Sequence, residues 1–302
     1  MILVKIKRRV QRILNDALKN DIKNTQLLSG KIMASLNEKK TIQNLQEVEF
    51  KVFSQWGDDG IIQYLISQLD ITDSGKIFVE FGVENYTESN TRFLLINDNW
   101  KGLVIDGSRK NVDYIKGDDI YWQHDLTAIC QFITKDNING LIKSAHIEGE
   151  IGILSVDIDG NDYWLWKSIN VIDPVIVISE YNSIWGYDKP YSVIYNDAFV
   201  RNSMHYSNLF YGTSLLSICD LAEEKGYDFI GCNSAGNNAY FIRKDKNKSF
   251  RKLTCKEGFV DAKFRESRDK NGRMTFLNGQ AKYNEIRGLT VFNTRTQKEE
   301  IL

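Results

Sequence analysis

The chain of 302 residues is short of several things, and each shortage excludes a class of protein. Its four cysteines, Cys130, Cys219, Cys232 and Cys255, show no CxxC spacing. That argues against a zinc site or a disulfide framework and fits reduced thiols in the cytoplasm. No apolar run approaches the ~18–20 residues needed to span a bilayer. Charge of either sign is not in excess: the formal net charge is −1, so nothing points to nucleic acid as a partner. Histidines number three, His124, His146 and His205, which restricts any imidazole base to those positions. The opening "MILVKIKRRVQRILNDALKN" lacks the uninterrupted apolar stretch and small-residue cleavage site of a secretion signal. It carries a basic face (Lys5, Lys7, Arg8, Arg9, Arg12) and apolar residues near helical spacing (Ile6, Val10, Ile13, Leu14, Leu18). Residues 1–20 therefore suit a helix packed on the domain or on a partner subunit, or peripheral attachment to an anionic membrane.

What is present is a well-filled core: 42% hydrophobic and 26% charged residues, the proportions of a globular protein. Residues 1–47 read as a polar helical extension. From residue 54 the pattern alternates. The strand-like runs are 76–82, 100–107, "DIYWQHDL" (119–126), 151–159 and 174–182. Helical segments at 54–69, 88–98, 108–116, 131–145 and 162–169 separate them. Continuous aliphatic strands between helices of about three turns indicate a parallel sheet covered on both faces. A helix at 213–227 and strands at 228–233 and 238–245, joined by the turn-forming "SAGN", add an antiparallel hairpin at the C-terminal edge of the sheet. The expected fold class is α/β: a doubly wound, mostly parallel sheet over residues 48–245, with a C-terminal extension, 246–302, packed near the site. Residues 183–212 are aromatic-rich and aperiodic, the mark of a lid or binding loop.

In such a sheet ligands bind beyond the carboxyl ends of the strands, where strand order reverses. The strand-terminal residues there are Glu80 and Gly82, Asp106, Asp125, Asp157 and Asp159, and Glu180 and Asn182. A glycine turn after the first strand and an acid, Asp106, after the second define a nucleoside site: the acid can hold both ribose hydroxyls. NAD would need GxGxxG so that a pyrophosphate can approach a helix N-terminus. The loop "EFGVENYTESNT" has one glycine and the acids Glu84 and Glu88, which repel a pyrophosphate but are tolerable beside the cationic end of S-adenosylmethionine.

The segments "FVEFGVENYTESNTRFLL", "GLVIDGS", "LSVDIDGNDYWLW", "SEYN" and "FYGTSLLSICDLAEEKGY" together resemble the Rossmann-type (class I) S-adenosylmethionine-dependent methyltransferases, within the FkbM-like group. The loop departs from the E/DxGxGxG usual there, with Glu84 and Tyr86 at the later glycine positions. The resemblance implies that Glu80, Gly82 and Asn90 line the methionine portion of the cofactor, that Asp106 holds its ribose and that Asp125 lies near the adenine amino group. It further implies a cytoplasmic enzyme of polysaccharide biosynthesis, O-methylating a sugar, sugar nucleotide or surface-glycan precursor. The alternative is a non-catalytic methyltransferase-like module that partners a glycan-biosynthesis enzyme.

Asp157 would stand next to the reacting methyl group, to orient the acceptor or take its proton. An alcohol is far too weak an acid for a carboxylate of ordinary pKa, so either a base nearer neutrality or a divalent metal is required. His205, in the aperiodic segment, is the candidate base. Asp157, Asp159, Glu180 and Asn182 form an all-oxygen set suited to Mg²⁺ or Mn²⁺. Asp159–Asp162 can equally form a polar turn and helix cap. Trp185, Tyr187, Tyr191, Tyr206, Phe210 and Tyr211 suit either a sugar platform or a small core within the lid.

Overall fold

A computed structural model describes residues 21–302. The basic segment 1–20, read above as a helix, lies outside the described residues. Helix α1 (residues 21–37) leads into a loop that two consecutive acids hold in place. Asp59 Oδ2 accepts the N–H groups of Val52, Phe53 and Ser54 and the Ser54 hydroxyl, each at 2.7–2.8 Å. Asp58 Oδ1 accepts Asn233 Nδ2, Asn238 Nδ2 and the Tyr240 hydroxyl. Helix α2 (Asp58–Gln68) therefore starts with both acids buried in donors, which ties the N-terminal loop to a hairpin near the other end of the chain.

The alternating core follows: β1 (Ile77–Phe81), α3 (Arg92–Asp98), β2 (Lys101–Asp106), α4 (Arg109–Gly117), α5 (Ile120–Gln123) and β3 (Leu126–Cys130). Next come α6 (Ile138–Ser144), β4 (Gly149–Val156), α7 (Asp162–Ser168) and β5 (Ile172–Glu180). After the aperiodic segment, which contains β6 (Tyr191–Ser192) and α8 (Arg201–Met204), the chain forms α9 (Leu215–Glu224), β7 (Tyr227–Cys232) and β8 (Asn238–Arg243). Seven of these strands make one sheet in the order β3-β2-β1-β4-β5-β8-β7. All neighbours from β3 to β5 pair in parallel, while β8 runs antiparallel between β5 and β7. The doubly wound α/β sheet with its hairpin at one edge is thus the observed fold. Its aliphatic strands bury one face against Ile142, Leu165 and Ile218 and the other against Ile61, Leu65 and Leu94, which is why they read as unbroken apolar runs.

One strand reading is corrected. Residues 119–125 are not a strand: Asp118 Oδ1 accepts the Ile120 N–H, a short helix follows, and Trp122 is 76% exposed. The third strand is "LTAIC", whose Leu126 and Ala128 are the side chains with core to enter. The C-terminal segment adds α10 (Cys255–Gly258), α11 (Gln280–Ile286), β9 (Thr290–Asn293) and β10 (Lys298–Ile301). β9 pairs with β6 to build a small three-stranded sheet on the aperiodic segment. No helix among the described residues is long and apolar enough to cross a membrane.

Candidate functional site

Strand order reverses between β1 and β4, and the two strands touch where they end. Gly82 adopts φ +68°, and a Cβ there would sit 1.8 Å from the Asp157 carbonyl oxygen, so only glycine fits. Two chambers meet at this contact, sharing Gly82, Glu84, Asp157 and Asp159 as lining.

The smaller chamber, about 220 Å³, lies beyond β2 and is lined by Asp106, Gly107, Phe132, Ile133, Ile158 and Phe199 among others. Asp106 Oδ1 accepts the Ser108 N–H (2.8 Å) and Asn111 Nδ2 (3.1 Å); its other oxygen has no partner among the described residues. Phe199 reaches the wall because Gly160 carries no side chain: a Cβ there would lie 2.2 Å from the Phe199 ring. An acid beside flat apolar walls suits a ribose and its base.

The larger chamber, about 330 Å³, lies beyond β1, β4 and β5. Glu80 forms part of its floor, with its carboxylate committed to the loop: Ser89 Oγ, the Asn90 and Thr91 N–H groups and Thr91 Oγ1 all donate to it. Asn90, also in the lining, is buried and donates to Ser155 Oγ at 3.2 Å. The loop between takes a glycine-like path without glycines, since Glu84 (φ 47°) and Tyr86 (φ 62°) are left-handed. Such residues cost about 1 kcal/mol each. Tyr86 is held there by full burial, a 2.9 Å bond to Thr91 Oγ1 and Arg92, whose Nη1 donates to its carbonyl.

Asp157 and Glu180 face this chamber with no hydrogen bond to either carboxylate among the described residues. Glu180 is only 7% exposed, and its Oε2 is buried without a partner. Burial, reinforced by the charges of Asp159 and Asp162, pushes Asp157 well above the carboxylate range. Burial and the charge of Asp157 do the same to Glu180. Asp162 stands behind them, fully buried, with its oxygens accepting the Ile158 and Gly160 N–H groups at 2.8 and 2.9 Å; burial pushes it up to about 6. One oxygen each from Asp157, Asp162 and Glu180 lies within 4.8 Å of the others. Arg201, from α8, supplies the opposing charge. Its Nη1 pairs with Asp159 Oδ1 at 2.5 Å, its Nε donates to the Asn208 carbonyl, and its guanidinium lies 3.7 Å from the Tyr211 ring centroid. Trp56 and Phe264, stacked at 6.5 Å, complete the wall.

Several expected site residues are placed elsewhere. Asp125 precedes β3, so it sits exposed at the opposite end of the sheet, its carbonyl accepting the Gly102 N–H. His205 lines neither chamber: its Nδ1 bonds Ser207 Oγ at 2.7 Å and its ring packs on Tyr206. Asn182 spends its amide inside the protein, donating to the Leu209 and Tyr211 carbonyls and accepting the Ile184 N–H. It therefore leaves the proposed ligand set, and Asp159 is engaged by Arg201. Of the aromatics in the aperiodic segment, Trp185, Phe210 and Tyr211 belong to that segment's own core with Val291 and Ile286, with Tyr191 packed against it. The contributions of Trp56, Phe264 and Arg201 were not anticipated, while Asp162, expected within a polar turn, accepts the turn's amides and also backs the acid pair. Of the three unanticipated residues, Trp56, in "SQWGDDG" ahead of a helix, stood beside a visible motif.

No protein-family model matches the chain, and no curated protein matches its sequence. Among solved structures, the N-terminal domain of EvdMO1 with SAH bound is 13% identical, with 74% of this chain and 94% of that one covered and a TM-score of 0.36. An S-adenosylmethionine-dependent methyltransferase from Clostridium acetobutylicum ATCC 824 is 11% identical, with 61% and 89% covered and a TM-score of 0.37. An O-methyltransferase family protein from Burkholderia thailandensis is 10% identical, with 79% and 72% covered and a TM-score of 0.36. These overlaps are partial and add nothing about activity. The fold rests on its own topology: a seven-stranded, mostly parallel α/β sheet with one antiparallel strand, β8, near its edge.

Proposed function

We propose that this chain is an S-adenosylmethionine-dependent methyltransferase acting on a hydroxyl oxygen of a sugar, sugar nucleotide or surface-glycan precursor. The observation that carries the reading is the junction at Gly82 and Asp157. On one side lies a chamber with a half-bonded acid and apolar walls. On the other lies a chamber holding two acids, Asp157 and Glu180, whose carboxylates accept no hydrogen bond among the described residues. When bound, the cofactor supplies an electrophilic methyl group on a cationic sulfur. The free oxygen of Asp106 would take the ribose hydroxyls, and Phe132, Ile133 and Phe199 would enclose the base. Glu80 fixes the loop around the methionine end through its four donors, and the acids at the junction favour a positive charge there.

Asp157 and Glu180 are the groups placed to receive the acceptor's proton. Two adjoining carboxylates, Glu180 buried and Asp157 half-buried, both raised chiefly by desolvation and Glu180 further by the charge of Asp157, form a stronger base than a carboxylate in water. That supplies the base nearer neutrality that an alcohol acceptor requires, without His205. Trp56 and Phe264 offer aromatic surface to a sugar ring, and the FkbM-like sequence resemblance favours the same acceptor class.

A second reading of the pair is favoured by the buried, partnerless Oε2 of Glu180. Asp157 and Glu180, with Asp162 behind them, would hold Mg²⁺ or Mn²⁺ through hard oxygen donors.

The test is calorimetric titration of S-adenosylhomocysteine into the wild type and Asp106→Ala, each with Mg²⁺ and with chelator, followed by an acceptor screen over sugar nucleotides. Micromolar binding that the variant loses supports the cofactor site. A well-folded wild type with no binding refutes the methyltransferase reading and leaves a non-catalytic module. Turnover unchanged by chelator refutes the metal.

A further inference from the structure

Helix α1 has two faces. Lys23, Leu27, Gly30, Ala34 and Asn37, spaced three and four apart, turn toward the domain, with Gly30 and Asn37 buried and the other three half-buried. A Cβ on Gly30 would lie 2.6 Å from Val52 and 2.9 Å from Phe93, and Asn37 Nδ2 donates to the Val48 carbonyl at 2.8 Å. The other face carries Ile22, Leu28, Ile32, Met33 and Leu36, exposed by 50, 59, 52, 36 and 61%. At 3.6 residues per turn these positions, with Thr25 and Ser29 between them, share an arc of about 140°. Asp21, at its edge, is the one charge on it. A surface helix normally buries its aliphatic stripe and shows polar residues to water; here the aliphatic stripe faces out, as at interaction surfaces. In the sequence the period continues backwards from Ile22 in steps of four, through Leu18, Leu14, Val10 and Ile6.

Charge selects what covers this face. Residues 1–40 hold ten lysines and arginines against three acids, a net of +7. The whole chain carries −1, so the remaining 262 residues carry −8. A second copy of the same helix would set +7 against +7. A nucleic acid would satisfy the basic residues and leave five aliphatic side chains in water. A bilayer surface rich in anionic headgroups accepts both: the aliphatic face enters the headgroup–acyl boundary, and lysines and arginines near the surface are drawn to the headgroups. The same field repels the acidic remainder and turns it toward the solvent. We propose that the outward face of α1 docks the protein on an anionic lipid surface. This inference stands independently of the methyltransferase reading.

The test is flotation of the full chain with phosphatidylcholine vesicles, with and without phosphatidylglycerol. At ~0.1 M salt the anionic vesicles should carry at least ~10-fold more protein than the neutral ones, and ~0.5 M salt should remove most of it. The double exchange Ile32→Glu, Leu36→Glu should reduce binding to the neutral-vesicle level while the melting temperature and circular dichroism stay at wild-type values. Equal binding to both vesicle types, binding to neither, or undiminished binding by the folded double variant would each overturn the proposal. So would a wild-type dimer in sedimentation that the exchange abolishes, which would assign the face to a second copy. RNA binding that survives the exchange would assign the basic segment to nucleic acid instead.

Discussion

Glu80 and Glu180 are the same residue at the same end of neighbouring parts of one sheet, and they are equally buried, at 5% and 7% exposure. Glu80 accepts four hydrogen bonds from residues 89–91, and the Glu180 carboxylate accepts none among the described residues. The same contrast separates whole regions. Around α2 and the β1 loop, buried acids hold several donors each: Asp58 three side chains, and Asp59 three backbone amides and a hydroxyl on Oδ2, with its Oδ1 left without a partner among the described residues. At the ends of β4 and β5, Asp157 and Glu180 have no hydrogen-bond donor among the described residues, with Asp159, Asp162 and Arg201 nearby and a chamber in front of them. A buried carboxylate without donors is costly, and a fold keeps such a group where something absent from the bare chain completes it. The donor-matched acids are architecture, and the unmatched pair marks the site.

The contrast can be broken most directly at Asp157. Asp157→Asn keeps the shape of the side chain and removes its basicity. Turnover should fall by roughly 10²–10⁴, with S-adenosylhomocysteine affinity changed no more than about threefold; full activity in the variant would move the base elsewhere. Asp106→Ala should act on the other chamber. Loss of a charged hydrogen bond worth about 1.5–3 kcal/mol weakens cofactor binding by roughly 10–100-fold, read by calorimetry, with little change in melting temperature.

An architectural acid should behave the opposite way. Asp59→Ala orphans three amides and should lower the melting temperature by several degrees, an effect of about 2–3 kcal/mol. In the protein that remains folded, turnover should persist. Last and smallest is a pH effect. Because burial raises Asp157 and Glu180, and holds Asp59 and Asp162 at about 6, the folded chain binds more protons than the unfolded one above about pH 4. Stability therefore falls as pH rises from the ordinary carboxylate pKa through these raised values. Glu180→Gln should flatten that slope and raise the melting temperature at pH 7.5 by a few degrees; a steeper slope would mean that Glu180 already has a partner in solution.

The sheet was legible because its strands are buried on both sides, which leaves unbroken aliphatic runs and an acid or glycine where each run stops. Gly82, Asp106, Asp157 and Glu180 could be found that way, since position along a strand fixes the end of the sheet on which a residue lies. Asp125 was misplaced because a short capped helix with an exposed tryptophan imitates an aromatic strand, and shifting one strand boundary sends its terminal acid to the opposite edge. His205 and Asn182 were credible by residue type, but a side chain's partners are not encoded in its neighbours along the chain. His205 turned to Ser207, and Asn182 to carbonyls 27 and 29 residues away.

The sequence by itself determined the layered α/β architecture, the end of the sheet where ligands gather and the aliphatic period of the first helix, because burial and backbone periodicity act locally. Only the tertiary structure decided which acids are spent on donors and which stand free. It alone brought Trp56, Arg201 and Phe264 to one chamber and left the aliphatic stripe of α1 facing water. Hydrogen-bond satisfaction and packing are settled between residues far apart in the chain, and no local pattern records them.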